Sequence, residues 1–112
     1  MAKFELKKSS DGLFQFNLVA SNGEIILTSQ RYKSKGSAKK GIESVIANSG
    51  DDTRFDKKEA KNGQPYFVLK ASNGQVIGNS QMYSSDSAAK NGIAAIKKAA
   101  KGAEIIDITD KS

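Results

Sequence analysis

Apolar and polar residues alternate along one stretch of the chain, and further on the spacing of the apolar residues changes. Phe14, Phe16 and Leu18 lie two residues apart, which is typical of a strand with one buried face. From Ser34 onward the apolar residues are spaced by four and three instead, which is typical of an amphipathic helix. Further strands are predicted around Phe4 and just before Ser34. The pattern therefore predicts three strands followed by one helix.

The same pattern occurs twice, because the sequence matches itself without a gap when it is shifted by 51 residues. The shift places Phe4 on Phe55, and it places the tetrapeptide Ala-Ser-Asn-Gly on a second copy of itself. We therefore predict an α+β protein that is a tandem duplication of one βββα unit. Repeat 1 is expected at residues 3–48 and repeat 2 at residues 54–100.

The two units are expected to pack together, because one three-stranded sheet with one helix buries little apolar surface. We predict a single compact domain across residues 1–112, with antiparallel strands in one or two sheets, both helices packed on them, and a pseudo-two-fold arrangement. The joint, residues 48–53, is short and polar, which favours direct contact between the units. The tail is residues 101–112. Within it, the partly alternating residues 103–109 are expected either to add an edge strand or to drape over the sheet.

Two Asn-Gly pairs stand between apolar runs and indicate tight hairpins. They are Asn22-Gly23 in repeat 1 and Asn73-Gly74 in repeat 2. Both residues of such a pair can adopt a positive φ angle, which a type I′ turn requires. The sequence therefore predicts a type I′ hairpin turn at each pair.

The helices have predictable starts and one unusual interior position. Ser34 and Ser85, or a neighbouring serine, are predicted to cap them by accepting hydrogen bonds from free backbone N–H groups. Gly41 and Gly92 fall in the helix interiors, where glycine costs about 0.5–1 kcal/mol relative to alanine. A close approach of the helix to the sheet is the expected compensation.

Three features follow each other in the same order in both repeats. These are the Ala-Ser-Asn-Gly hairpin, the Ser-Gln-x-Tyr segment that begins at Ser29 or Ser80, and the helical Ala-x-x-Gly-Ile. In these features, which extend over nearly the whole chain, the sequence resembles the YegP-like family. The resemblance implies a βββα duplication in a small bacterial protein. It implies no activity and no catalytic or binding residues, so it leaves the function open.

The chain contains neither cysteine nor histidine. It therefore lacks the usual zinc ligands, the usual general base near neutral pH, and every Ser-His or Cys-His catalytic pair. The acidic pair Asp51-Asp52 has no second cluster to complete a metal site. The sequence thus predicts no enzyme activity, no metal and no cofactor.

Because no apolar run approaches the roughly 20 residues that span a bilayer, and the first residues contain no apolar leader, we expect a cytoplasmic protein without a membrane partner.

The net charge is +6 at pH 7, and lysine is in excess in both repeats. The tail is locally acidic, with Glu104, Asp107 and Asp110 against Lys111. A basic surface can contact phosphates without reading bases. Only two arginines are present, and arginine is the usual base-reading residue, so sequence-specific recognition is not expected. The candidate basic face consists of Arg31, Lys33, Lys39, Lys40, Lys90, Lys97 and Lys98.

A candidate binding surface consists of Gln30, Tyr32, Gln81 and Tyr83, which are predicted to end the third strand of each repeat. Side chains often converge on a ligand where a strand leads into a helix. The alternative is structural, because glutamine can hydrogen-bond the local backbone and tyrosine can bury its ring while its hydroxyl contacts water. A third possibility, an enzyme that uses either tyrosine or a lysine as an acid-base group, would require a shifted pKa in a closed pocket.

These observations favour a non-enzymatic binding or interaction module, as a monomer or weak dimer, whose partner is unknown. The alternative is a weak, sequence-independent nucleic-acid binder that uses its lysine-rich faces. Binding that weakens steeply with added salt would support nucleic acid as the partner. Salt-insensitive binding to a protein would support the first hypothesis.

Overall fold

The computed structural model describes residues 2–109 and contains two rounds of three strands and a helix, followed by one further strand. The first round consists of β1 (Lys3–Lys8), β2 (Phe14–Val19), β3 (Ile25–Ser29) and α1 (Lys35–Asn48). After a short 3-10 helix at Asp52–Arg54, the second round consists of β4 (Phe55–Glu59), β5 (Pro65–Lys70), β6 (Val76–Asn79) and α2 (Asp86–Gly102). The last strand is β7 (Glu104–Asp107).

The predicted α+β class is confirmed by these elements. The charged tail residues Asp110 and Lys111 lie outside the described residues, as do Met1 and Ser112. Within residues 2–109, neither α1 nor α2 is long and apolar enough to cross a membrane.

Both helices begin after the serines that the sequence indicated. The side chain of Ser34 caps α1 by accepting a hydrogen bond from the N–H of Ser37, and Ser85 caps α2 by accepting one from Ala88. Each cap satisfies a backbone N–H that has no partner within the helix, which stabilises the helix start by about 1 kcal/mol. The prediction of serine caps is therefore confirmed.

The prediction of type I′ hairpin turns is wrong. A positive φ angle occurs at Gly23 (88°) and Gly74 (86°), but at no residue other than glycine in the described part of the chain. The N–H of Gly23 donates to the carbonyl of Ala20, and the N–H of Ala20 donates to the carbonyl of Glu24, so the loop has three residues and ends in a left-handed glycine. Asn22 contributes a side-chain oxygen that accepts from the N–H of Glu24. All four hairpins share this arrangement.

The seven strands form one sheet in the order β4-β5-β6-β3-β2-β1-β7. The three strands of each round are antiparallel neighbours, and the pairing of β3 with β6 joins the two rounds. β7 pairs with β1, so residues 103–109 do supply an edge strand. The expectation of purely antiparallel strands needs correction, because β7 runs parallel to β1. The N–H of Glu104 donates to the carbonyl of Ala2, so the chain reaches this edge at the start of β1 and continues in the same direction.

One hydrophobic cluster lies between the sheet and the helices. It includes Phe4, Phe16 and Phe67 from the strands and Ile42 and Ile96 from the helices, and none of these five has exposed surface. Each helix contacts strands of both rounds, since α1 touches β2, β5 and β6, and α2 touches β1, β2, β3 and β5. Each round therefore supplies part of the other's core.

Candidate functional site

The Gln-x-Tyr segments follow the third strand of each round instead of ending it, because β3 and β6 stop before the glutamine. Tyr32 exchanges two backbone hydrogen bonds of 2.7 Å with Phe14. Its ring stacks on Phe16, with the ring centroids 6.2 Å apart, and Tyr83 stacks on Phe67 at 5.9 Å. Both tyrosine rings are thus packed against core phenylalanines of their own repeat.

Gly41 in α1 and Gly92 in α2 lie directly against these tyrosines. A Cβ atom at either glycine would overlap the hydroxyl and ring of Tyr32 or Tyr83. The close approach expected at the mid-helix glycines is therefore confirmed. The group that approaches the helix is a tyrosine side chain.

Burial raises the pKa of Tyr32 and of Tyr83 above the ordinary value of 10.0, so both hydroxyls stay protonated at neutral pH. The hydroxyl of Tyr83 is shielded from water. The Gln81 side chain lies near this hydroxyl, but the two groups form no hydrogen bond of ordinary geometry. This placement favours the structural alternative for the two tyrosines, because each fills the space left by a helix glycine.

The glutamines of the candidate binding surface are exposed, and they lie apart from each other. The Nε2 of Gln30 donates to the carbonyl of Val76 in β6 at 3.0 Å, so this side chain bridges the two rounds. Gln81 is also exposed. Because β3 and β6 are antiparallel, the segments that follow them leave the centre of the sheet in opposite directions. The structure therefore does not bring the four predicted residues together into one surface.

The candidate basic face is divided between the two rounds. Arg31 pairs with Asp11 at 2.7 Å, and Lys97 is half-buried and pairs with Asp52. The remaining members are exposed and form no ion pair within residues 2–109; they are Lys33, Lys39, Lys40, Lys90 and Lys98. The free lysines thus lie on or beside the two helices.

A groove with a volume of about 410 Å³ lies between the outer strand β4 and helix α2, and we call it the second-repeat groove. Its apolar lining is Phe55, Ile93 and Ala94, and its charged lining is Lys57, Lys90, Lys97 and Asp52. The groove therefore combines an apolar surface with an excess of positive charge.

Two apolar positions of this groove are fully buried in repeat 1. Phe4 and Ile42 correspond to Phe55 and Ile93 by the shift of 51 residues. Phe4 and Ile42 are 0% exposed, whereas Phe55 and Ile93 are only partly buried. The same two side chains are thus fully buried in one repeat, whereas in the other they pack against the core and keep part of their surface exposed.

The two outer strands also differ in what lies beside them, because β7 pairs with β1. β7 covers the outer edge of β1, and the ion pair between Lys35 and Asp107, at 3.0 Å, ties it to α1. The outer edge of β4 has no strand beside it among the described residues. Its backbone N–H and C=O groups are therefore available to another strand.

The carboxylates beside the groove are only loosely engaged. Asp52 pairs with Lys97, and Asp86 lies 3.9 Å from Lys57, but these two acidic side chains are 76% and 77% exposed. Exposed ion pairs contribute little, because water screens them and the side chains lose rotational freedom. An incoming carboxylate can therefore replace either one. No group of three or more acidic side chains that could hold a metal ion occurs in residues 2–109.

Sequence reasoning missed this groove. It identified Lys90 and Lys97, but it treated Phe55 and Ile93 as ordinary members of a repeated core. The available signal was the change from Leu6 to Lys57 at equivalent positions, because a lysine there cannot be buried as the leucine is. Nothing in the local pattern indicated which outer strand is covered.

A family model described as a domain of unknown function, DUF1508, matches the chain twice, at residues 9–56 and 60–107. Two matches of one model fit a tandem duplication. The matched unit begins after the first strand of each round, so its boundaries differ from those of the βββα unit inferred from the sequence.

Close relatives cover almost the whole chain. A UPF0339 protein of Pseudomonas aeruginosa is 56% identical over 106 residues, which are 95% of this chain and 96% of the relative. The UPF0339 protein YegP of Yersinia pestis is 50% identical over 109 residues, 97% of each chain. Neither name states an activity.

Two solution NMR structures have the same fold. The UPF0339 protein SO3888 from Shewanella oneidensis is 50% identical with a TM-score of 0.92, and the match covers 98% of this chain and 93% of that one. The protein of unknown function yegP from E. coli is 51% identical with a TM-score of 0.91, covering 96% and 93%. The agreement extends over both repeats.

Proposed function

This chain belongs to the DUF1508 family of YegP-like proteins, as its resemblance predicted, and on that premise we propose that it is a non-enzymatic module that binds a macromolecular partner through the second-repeat groove. The names of its relatives carry no activity, so the proposal rests on geometry. One observation carries it: Phe4 and Ile42 are fully buried, while the equivalent Phe55 and Ile93 are partly exposed. A partly exposed apolar pair beside an unpaired strand edge can form an interaction surface.

The surroundings of the tyrosines support binding over catalysis. Burial keeps the pKa of Tyr32 and Tyr83 above the ordinary range, so neither hydroxyl is tuned toward neutral pH. Each also packs against a helix glycine of its own repeat, which leaves little room for a substrate.

We further propose that the repeating unit is βββα and that the two rounds are related by a pseudo-two-fold axis through the β3–β6 pairing. The register supports this, because Thr28 pairs with Asn79, and these are equivalent positions in the two repeats. Antiparallel strands that pair at equivalent residues are arranged as a two-fold axis requires. Among residues 2–109, β7 has no counterpart under this operation, so it makes the two edges differ.

Charge reversal within the groove tests the binding function. Immobilised full chain is incubated with bacterial extract, and the proteins recovered by wild type, by the double variant Lys90→Glu/Lys97→Glu and by the control Lys39→Glu/Lys40→Glu are quantified. The control makes the same change in charge on the other helix. We expect at least one protein whose recovery falls about tenfold with the groove variant and is retained by the control. If no recovered molecule distinguishes the two variants, while circular dichroism shows that both are folded, the proposal fails.

The lysines of α2 favour a second candidate function, which is weak, sequence-independent binding to nucleic acid. Lys90, Lys98 and Lys101 are exposed on one helix and form no ion pair within residues 2–109. Contacts of lysine with phosphate release counterions, so the affinity falls steeply with added salt.

Binding to mixed DNA and RNA fragments at low and at physiological salt tests this candidate. The control chain carries glutamate at positions 39, 40, 97 and 98 in place of lysine. Binding that falls both with salt and with the reversals supports a nucleic-acid face, and no binding even at low salt excludes it.

We propose a cytoplasmic location and a monomeric or weakly dimeric state. Cell fractionation tests the first, and light scattering at micromolar concentration tests the second. Recovery of the protein with the membrane or periplasmic fraction, or a stable higher oligomer, would contradict these proposals.

A further inference from the structure

We infer that the unpaired edge of β4 binds an extended acidic segment of a partner protein, which adds to the sheet as an eighth strand. The inference rests on the proposed function and deepens it, because it names the chemistry and the conformation of the partner at the same groove. Strand addition to a free sheet edge is a common mode of peptide recognition, in which backbone hydrogen bonds provide affinity and side-chain pockets provide selectivity.

The opposite edge of the sheet already shows this mode of pairing. β7 lies parallel to β1, with Ile105 beside Phe4 and Asp107 beside Leu6. The ion pair between Asp107 and Lys35 adds a charged contact to the backbone pairing. β1 and β4 are the same strand in the two rounds, so the backbone of β4 can pair in the way that β1 pairs with β7.

The sequence of β7 indicates which kind of strand this edge accepts. When the sequence is shifted by another 51 residues, Phe55-Asp56 falls on Ile106-Asp107. The corresponding pair in the first repeat is Phe4-Glu5. β7 thus carries the apolar-acidic pair with which both units begin, although no further unit follows it within the described residues. A short strand that combines aliphatic and acidic residues is therefore the demonstrated partner for an outer strand of this fold.

Lys57 makes the β4 edge more selective than the β1 edge. It occupies the position of the fully buried Leu6, and it lines the second-repeat groove together with Lys90 and Lys97. A purely apolar strand docked here would remove water from the ammonium group without replacing its interactions, which is costly. A carboxylate on the incoming strand would compensate for that loss, so the groove favours an acidic segment.

Lysine on an outer strand has another known effect, which is to prevent aggregation between sheet edges. The two roles differ in a measurable way. An edge that is only protected rejects every strand, whereas an acid-selective edge accepts acidic strands and rejects basic ones. The five residues of β4 and the four of β7 indicate a bound segment of similar length.

A synthetic peptide with the sequence of residues 103–109, blocked at both ends, is the probe. It is titrated into the full chain labelled with ¹⁵N, and the backbone amide shifts are followed. We expect shift changes at residues 55–59 and along the groove side of α2, with slower amide exchange in β4 at saturation. A second peptide, in which lysine replaces both acidic residues, is expected to bind about tenfold more weakly.

Two variants of the chain complete the experiment. Lys57→Glu is expected to weaken binding of the acidic peptide about tenfold, and the control Lys39→Glu, which makes the same charge change outside the groove, is expected to leave it within about twofold. Lack of binding by either peptide overturns the inference, and so does equal binding by both. Shifts confined to β1, which would show displacement of β7, overturn it as well.

The outcome is separable from that of the proposed function. If a natural partner depends on Lys90 and Lys97 but the peptide leaves β4 unperturbed, the groove binds by another mode and only the strand inference fails. If the peptide adds to β4 but no molecule in the extract depends on the groove, the proposed function fails instead.

Discussion

The outer strands of the two repeats occupy equivalent positions and have different surroundings. β1 lies between β2 and β7, and its Phe4 and Leu6 are fully buried. In the described part of the chain β4 has a neighbour on one side only, and its Phe55 and Lys57 remain in contact with solvent. The outer strand that has a neighbour on both sides is thus the more deeply buried of the two.

The tyrosine-glycine contact behaves in the opposite way, since it is retained in both repeats. Tyr32 packs on Gly41 and Tyr83 packs on Gly92, with nearly parallel stacking on a phenylalanine in each case. A contact that both copies need for folding stays the same. An edge that only one copy exposes is free to acquire a different residue, such as Lys57.

The largest difference in the free energy of unfolding is expected when the side chains at two equivalent positions of β1 and β4 are truncated to alanine. Leu6→Ala should lower the free energy of unfolding by about 2–5 kcal/mol, because it leaves a cavity in the core. Lys57→Ala should change it by less than about 0.5 kcal/mol, because the side chain is exposed. Urea unfolding of both variants measures the difference. Equal losses would show that the two edges are not in different environments.

A smaller effect, similar in both repeats, is expected from filling the helix glycines. Gly41→Ala and Gly92→Ala should each destabilise the protein by about 1–3 kcal/mol, because the added methyl group overlaps a tyrosine. Tyr83→Phe in the Gly92→Ala background should recover part of the loss. Thermal unfolding is the measurement. Stabilisation by about 0.5–1 kcal/mol, which helix propensity alone predicts, would show that the tyrosines move aside freely.

The attachment of β7 is expected to depend on pH. Hydrogen bonds from Thr109, together with Lys35, hold the pKa of Asp107 far below its ordinary value of 3.8. A carboxyl with a lowered pKa in the folded state stabilises that state above its ordinary pKa, and this contribution is lost as the pH falls below 3.8 toward the folded-state value. The protection factors of the β7 amides, which correct for the pH dependence of intrinsic exchange, should therefore fall below that pH.

Replacing the carboxylate tests the same contact at neutral pH. Asp107→Asn should speed exchange of the β7 amides by about two- to fivefold, since the group is exposed and its interactions are screened. Asp56→Asn, at the equivalent position in β4, serves as the control and should leave β7 unchanged. Unchanged β7 exchange in Asp107→Asn would assign the attachment to backbone pairing alone.

The smallest effect is expected from an exposed ion pair that only repeat 1 has. Arg31 pairs with Asp11 at 2.7 Å, whereas the equivalent positions in repeat 2 are Met82 and Asn62. Arg31→Met should change the free energy of unfolding by less than about 1 kcal/mol. A larger loss in urea unfolding would mean that this pair helps to hold the hairpin of repeat 1.

Local features of this fold were predictable because each depends on residues a few positions apart. The serine caps at Ser34 and Ser85 and the position of every hairpin follow from such short-range patterns. The turn type was not predictable from Asn22-Gly23 alone. The same dipeptide is compatible with a two-residue and a three-residue loop, and strand pairing on both sides selects between them.

The candidate site was predictable only in part. The position of Tyr32 after the third strand was nearly correct, but burial against Gly41 depends on how the helix crosses the sheet. Lys90 and Lys97 were identified from the sequence as members of a basic face. That they line one groove with Phe55 depends on the position of β4 at the edge of the sheet, which the sequence did not predict.

The sequence alone showed that one unit occurs twice, located both helices and the strands of each unit approximately, and revealed the absence of the residues of common catalytic sites. It left open whether residues 103–109 form a strand, and which outer strand is covered became clear only from the folded chain. Helix α2 ends where β7 can begin beside Ala2, at the start of β1, and this contact joins residues about 100 positions apart. β1 and β4 differ locally at Leu6 and Lys57, but the strand that covers β1 is brought there by that distant contact.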